Sequence, residues 1–286
     1  MPELPEVESV AAYLRQLLPE HTIEQAVINR AKLIPAHTPE EFCDRLKGAT
    51  FTDIGRRGKH ILLHLDSSDT LIVHLRMSGR FLYVDQSAEL PKFTHAIFAL
   101  DENKLLAFQD QRHFGMMHLV KTDELHQAKE LSSLAPEPLG PDFTLEYLTT
   151  TLSKSKRAIK EVLLDQTRVL GLGNIYAAEA LFAARIHPEL PASKVTPTQL
   201  EDLHPAIQAI LEAAIEAGST IHTNPEDITG GYFGNAFEEA LAVYDREGEP
   251  CWRCETLIER IRQGQRSTYF CPNCQKKEEL RIENEE

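Results

Sequence analysis

Four of the chain's five cysteines fall in two tight pairs, Cys251-x-x-Cys254 and Cys271-x-x-Cys274, with sixteen residues between the pairs. Each pair can place two thiolates on one turn, and the intervening stretch can fold back as a hairpin. Four sulfurs then meet around one tetrahedral zinc ion. The polar turn Arg262-Gln263-Gly264-Gln265 is flanked by segments, 256–261 and 267–270, that alternate or run apolar as a two-stranded ribbon requires. A redox pair would explain one Cys-x-x-Cys and leave the other idle. A closed four-thiolate site has no open position, so one structural zinc ion is expected and the chemistry must lie elsewhere. Cys43 stands alone in a helical stretch and reads as a small buried hydrophobe.

A second chemical signal is Gly171-Leu172-Gly173-Asn174, directly before a helix that starts near Ile175. Two glycines permit a tight turn, Asn174 is a good N-cap, and the first backbone N–H groups of the helix then face an anion. Charge supports the same reading only after it is divided. The 286 residues carry 30 Lys and Arg against 44 Asp and Glu, a net charge of −14 that argues at first sight against nucleic acid. Residues 56–80, with Arg56, Arg57, Lys59, Arg76 and Arg80, nevertheless sum to +3, as do residues 153–176, while residues 1–41 sum to −4. A polarised surface can hold phosphates locally, because screening limits repulsion from elsewhere beyond roughly 10 Å.

The elements that must position these groups read in three blocks. Apolar Val7, Val10, Ala11, Leu14, Leu17 and Leu18 recur at helical spacing up to Pro19. Short apolar runs at 60–65, 70–75, 80–84, 96–100, 105–109 and 116–120 predict an antiparallel β region. After the proline-rich stretch 134–141, the best linker, helical periodicity returns at 144–152, 158–166, 175–184 and 198–217. Residues 218–237, with Gly230, Gly231 and Gly234, read as a mobile loop, and 276–286 as a charged, fraying tail. No apolar run reaches the length of a membrane span, and the first twenty residues lack the pattern of a secretory signal, so a soluble cytoplasmic protein is expected.

Three motifs together resemble one family. Met1-Pro2-Glu3-Leu4-Pro5-Glu6-Val7-Glu8, Gly171-Leu172-Gly173-Asn174-Ile175-Tyr176 and Arg266-Ser267-Thr268 are similar to those of the formamidopyrimidine-DNA glycosylases, over nearly the whole chain to about Gln275. The sister group of endonuclease VIII type usually has Gly where Leu4 stands, so the oxidised-purine branch is favoured. The resemblance implies an α+β fold: an N-terminal antiparallel β-sandwich with an opening helix (1–134), a helix-two-turn-helix domain (135–235), a four-Cys zinc-finger hairpin (236–275) and a charged tail (276–286). It also implies a bifunctional glycosylase and abasic-site lyase, with damaged double-stranded DNA held in a cleft.

The residue types make the implied chemistry intelligible. With Met1 removed, Pro2 is an N-terminal secondary amine; α-amino groups titrate near 7.7–8.0, well below lysine at about 10.4. Such an amine can attack C1′ of a damaged nucleotide, displace the base and leave a Schiff base. The resemblance makes Pro2 the nucleophile, Glu3 the general acid/base, Glu6 a supporting carboxylate, Lys59 a proton donor in β-elimination and Arg266 a phosphate contact assigned to δ-elimination. Glu6 and Glu8 would also complement the helix dipole whatever the function. Base removal from a duplex requires flipping, and Met77, Arg112 and Phe114 match the three side chains that fill the vacated stack. His74, His95, Arg112, Lys160 and Asn174 match DNA contacts, with Lys154 and Lys156 nearby. Asp110-Gln111-Arg112-His113-Phe114-Gly115 departs from the family, which usually has Pro or Val at the second place and Lys or Arg at the fourth. The segment 220–227 also departs, and no base contacts are assigned to it.

The expectation is therefore a monomeric DNA-repair enzyme of bacterial type that excises 8-oxoguanine and formamidopyrimidines and cleaves by β,δ-elimination. It needs one structural zinc ion and double-stranded DNA with oxidised bases or abasic sites, and no membrane. Two alternatives remain at this stage: an oxidised-pyrimidine glycosylase of endonuclease VIII type, and a non-catalytic zinc-finger protein that binds damaged DNA.

Overall fold

A computed structural model of the chain describes residues 2–218, 220, 224–226 and 240–277. Met1, most of the segment expected to be a mobile loop (218–237) and tail residues 278–286 lie outside the described residues. The described residues form two compact units, one from 1–133 and 214–238, the other from 134–213 and 239–286.

The first unit opens with α1 (Leu4–Leu17), which has Pro5 in its first turn, where the missing N–H costs nothing. Leu4, Val7, Val10, Ala11 and Leu14 bury one stripe, as their spacing predicts. Two four-stranded antiparallel sheets follow. One runs in the order β1 (Ile23–Ile28), β6 (Thr94–Leu100), β7 (Lys104–Asp110), β5 (Gly79–Asp85). The other runs β2 (Phe51–Arg57), β3 (His60–Leu65), β4 (Asp69–His74), β8 (Met116–Lys121). Ile61, Leu63, Leu71, Val73, Met117 and Leu119 of one sheet share a core with Phe81, Phe98, Leu106 and Phe108 of the other and with α1. This is the expected sandwich with its opening helix. α2 (Pro39–Leu46), N-capped by Thr38, adds Phe42 and Leu46 to that core, and Cys43 packs at its margin, half-buried.

The second unit holds α3 (Leu145–Ser153), α4 (Ile159–Leu163), α5 (Asn174–Ala183), most of α6 (Pro197–Glu216), and the hairpin of β9 (Glu259–Gln263) and β10 (Arg266–Phe270). Gly264 and Gln265 both take positive φ, 56° and 69°, in a two-residue turn whose twist suits a hairpin. Two local expectations are corrected. The helix expected over 158–166 stops at Leu163, because the Asp165 carboxylate captures the Thr167 N–H and hydroxyl, offering the backbone an alternative to another helical turn. The N-cap of α5 is Gly173, not Asn174, whose side chain points to β10 instead. Among the described residues, no helix is long and apolar enough to cross a membrane.

Candidate active site and zinc ribbon

In the first unit the N-terminal residues are held inward. Pro2 is buried, and Glu3 and Glu6 are 2% and 1% exposed. The Glu6 carboxylate reaches back one turn and accepts the Glu3 backbone N–H at 2.7 Å, fixing the first turn of α1. Its other oxygen accepts the Thr220 hydroxyl at 2.9 Å. Glu8, expected only to complement the helix dipole, does more: it takes Arg56 Nε at 2.7 Å and Arg15 at 3.3 Å, tying α1 to β2. Arg56 of the first positive segment is thus paired with a carboxylate from outside it, so the sum of +3 overstates that segment's exposed charge; in the second, Arg157 pairs with Glu161 and Asp165, which its sum already counts.

Lys59 occupies the tight turn from β2 to β3 and is 4% exposed, unlike the solvated lysine that a strand start would supply by default. The next residue, His60, pairs across the ladder with His74, their rings edge to face at 4.7 Å. Burial drives His60 down to about 4. Burial, then the neighbouring His60 and the Arg76 cation, drives His74 to about 2. Both rings are neutral at physiological pH. His74 Nδ1 accepts the Arg76 N–H at 3.0 Å, which places its proton on Nε2 as a donor suited to a phosphate oxygen.

The turn 110–115 is built on one carboxylate. Asp110 is fully buried; one oxygen accepts the Ser78 hydroxyl and the Arg112 N–H (3.1 Å), and the other accepts the Gly115 N–H (2.7 Å). Position 115 must be glycine, since a Cβ there would lie 2.8 Å from the Phe108 ring. Arg112 and Phe114 are left exposed and paired, the guanidinium 5.4 Å from the ring centroid. Because the Arg112 N–H also bonds the Ser78 hydroxyl at 3.0 Å, this turn sits beside the turn bearing half-buried Met77. The structure thus brings Met77, Arg112 and Phe114 together. His95 Nε2 lies 2.9 Å from the Asp110 carbonyl and 2.8 Å from His113 Nδ1; a carbonyl only accepts, so His95 donates to both. His113, at the position where the family usually has Lys or Arg, is packed between His95 and Phe93. Asp110→Ala would strand three donors, and a stability loss of about 1–3 kcal/mol is expected. A lowered urea midpoint checks it; an unchanged midpoint would show that the carboxylate is not the organiser.

In the second unit Lys160 is 1% exposed, and its Nζ donates to the Thr268 hydroxyl (2.8 Å) and the Ser267 carbonyl (3.2 Å). Asn174 Nδ2 donates to the same carbonyl at 2.9 Å. Lys160, Asn174 and the strand beginning with exposed Arg266 therefore meet at one point, directly before the second cysteine pair. The four Sγ atoms of Cys251, Cys254, Cys271 and Cys274 all lie within 4.8 Å of one another, with pairs at 3.5 and 3.9 Å. Tetrahedral zinc–thiolate bonds of about 2.3 Å require sulfurs about 3.8 Å apart, so the donor set fits zinc. The N–H groups of Arg253 and Cys274 point at Cys251 and Cys271 sulfur, each at 3.4 Å, and offset thiolate charge.

Sequence reasoning missed Asp110 as an organiser, the His95–His113 contact, the Thr220–Glu6 bond and Glu179. The last, 6% exposed on α5, accepts the N–H groups of Ala242, Val243 and Tyr244 and so anchors the bend leading to the ribbon. A glutamate inside the apolar run 175–184 was the available signal for it.

Sequence profiles of the formamidopyrimidine-DNA glycosylase N-terminal domain, the H2TH domain of the same enzymes, and the zinc finger found in FPG and IleRS match residues 1–117, 134–225 and 248–277. The formamidopyrimidine-DNA glycosylase of Listeria innocua is 41% identical over 96% of this chain and all of its own length. That of Bacillus licheniformis is 43% identical over 97% of this chain and all of its own. Among solved structures, the Lactococcus lactis Fpg bound to abasic-site DNA superposes with a TM-score of 0.89 at 33% identity, covering 96% of this chain and 100% of that one. The same enzyme with Fapy-dG DNA gives 0.88, also at 33% and with the same coverage. With all three profiles matched and identity above 40% along the whole of these relatives, the chain belongs to the formamidopyrimidine-DNA glycosylase family.

Proposed function

We propose that this chain removes oxidised purines from double-stranded DNA and then cleaves the abasic site, with Pro2 as nucleophile. The observation that carries the assignment of roles is the burial of Pro2, Glu3 and Glu6 at the start of one helix whose first turn is fixed by Glu6. Attack of the Pro2 nitrogen on C1′ breaks the glycosidic bond, and the base departs with a proton from a general acid, the part given to Glu3; the C1′–O4′ bond of the aminal so formed then opens, O4′ taking a proton, to leave a Schiff base. The resulting Schiff base acidifies C2′, and β-elimination expels the 3′ phosphate; Lys59 supplies the proton transfer. Arg266 holds the remaining phosphate for δ-elimination, at the strand end braced by Lys160 and Asn174.

Met77, Arg112 and Phe114 fill the gap left by the flipped nucleotide, which offsets an unstacking cost of a few kcal/mol. His74 and His95, with Lys160 and Asn174, are given to the phosphate backbone, His74 through Nε2. The division into 1–134, 135–235, 236–275 and 276–286 is kept as the functional one. The place of action is the bacterial cytoplasm, on nucleoid DNA. Zinc supplies no step; it holds the ribbon.

Borohydride trapping tests the core of this reading. Zinc-loaded protein with processed Met1 is expected to form a covalent adduct with duplex bearing 8-oxoguanine opposite cytosine, mapped to Pro2, and to act faster on that duplex than on thymine glycol. The absence of any adduct would remove the lyase, and preference for thymine glycol would move the chain to the oxidised-pyrimidine class.

A further inference from the structure

We infer that Thr220 is a positioning residue for the catalytic N-terminus, acting through Glu6; this rests on the role of Pro2 and Glu3 given above. Glu6 has two oxygens and two distinct tasks. Oε2 accepts the Glu3 N–H at 2.7 Å, and Oε1 accepts the Thr220 hydroxyl at 2.9 Å with the Thr220 N–H at 3.4 Å. All three residues are nearly fully buried: Thr220 is 4% exposed, Glu6 1% and Glu3 2%. Water therefore does not substitute readily for a lost partner, and a buried carboxylate that loses one donor must turn or draw in another. If Glu6 turns, the backbone of Glu3, one residue from the nucleophilic nitrogen, loses its anchor.

The bond spans 214 positions of sequence, so α1 cannot supply it locally. A second tie of this kind is made by Pro225. β5 is an edge strand, and its Tyr83 N–H donates to the Pro225 carbonyl at 2.7 Å. Tyr83 is itself fixed: its hydroxyl meets His21 Nε2 at 3.0 Å, and His21 Nδ1 is bonded to Asp101. Thr220 and Pro225 are thus both tied to the sandwich unit. Thr220 alone is tied to a residue that touches the catalytic turn.

This role differs from recognition of the damaged base, and abasic DNA separates the two because it carries no base to recognise. Single-turnover borohydride trapping on abasic duplex is expected to slow on the order of 10-fold in Thr220→Val, with DNA affinity changed less than about twofold. Thr220→Ser, which keeps the hydroxyl, is expected to restore the rate. A wild-type rate for Thr220→Val on abasic DNA would overturn the inference, as would equal slowing in Thr220→Ser. Because valine could disturb packing, a cycle with Glu6→Gln supplies an independent reading: the double variant Glu6→Gln/Thr220→Val should be no slower than Glu6→Gln alone, and additive losses would show that Thr220 acts elsewhere. A wild-type chain that traps no abasic DNA would sink the lyase reading, and this inference with it. A wild-type chain that traps normally, beside an unaffected Thr220→Val, would sink this inference alone.

Discussion

A chain carrying an uncleaved extension ahead of Met1 is expected to lose adduct formation and base excision by on the order of 10³-fold or more, while abasic-DNA binding falls far less. The reason is covalent. In the extended chain the Pro2 nitrogen is a tertiary amide, its lone pair delocalised into the carbonyl and without a proton to lose. Once Met1 is gone it is an amine, partly unprotonated at neutral pH. A removable extension whose cleavage leaves Pro2 first should restore trapping and excision together, and retained abasic-DNA binding by the extended chain separates lost chemistry from a steric block at the buried start of α1. Should the extended chain trap DNA at the normal rate, the nucleophile would be another amine, and buried Lys59 would be the first to examine.

How far the sequence disclosed this arrangement depended on whether each feature is local. Six of the eight sandwich strands were legible, because their apolar runs are uninterrupted. β1 and β2 were not: each contains a register shift, between Ile23 and Gln25 and between Phe51 and Asp53, whereas the shift in β6, between Thr94 and Ala96, falls ahead of its apolar run. A bulge inserts one residue and breaks the period on which alternation depends. The zinc site was fully legible, since two Cys-x-x-Cys pairs fix geometry by spacing alone. The end of α4 was misjudged because Asp165 competes with the helix through a side chain that apolar periodicity does not weigh.

The site divided in the same way. Identities such as Pro2, Lys59 and Arg266 came through resemblance, but their supports did not. Asp110 under Arg112 joins turns more than thirty positions apart, and Thr220 under Glu6 bridges most of the chain. Such bonds leave no periodic trace in a single sequence. The net charge behaved similarly: the sum of −14 is correct, yet Glu8, from the acidic segment 1–41, pairs with Arg56 of the segment 56–80 that sums to +3.

Removal of zinc, or Cys271→Ser, is expected to lower incision by on the order of 10²-fold or more, through the ribbon and not through the N-terminal chemistry. A hairpin of two five-residue strands is marginal by itself, and its apolar support is a small cluster around Val243, Ile258 and Tyr269. In finger peptides structural zinc contributes an apparent ~10–16 kcal/mol, far more than such a cluster can replace. When the four thiolates separate, β10 loses its position, and two consequences follow at Ser267. Arg266 no longer presents its guanidinium at a fixed place, and Lys160 and Asn174 lose the carbonyl that holds both of them. Lys160, 1% exposed, is then a buried cation without its hydroxyl and carbonyl, so the damage should extend into α4 as a lower melting temperature of the second unit. Metal analysis should give one zinc per chain, chelation should abolish incision, and refilling should restore it. Incision that survives complete stripping would show that β10 is held without the metal, and that Lys160 and Asn174 suffice to keep Arg266 in place.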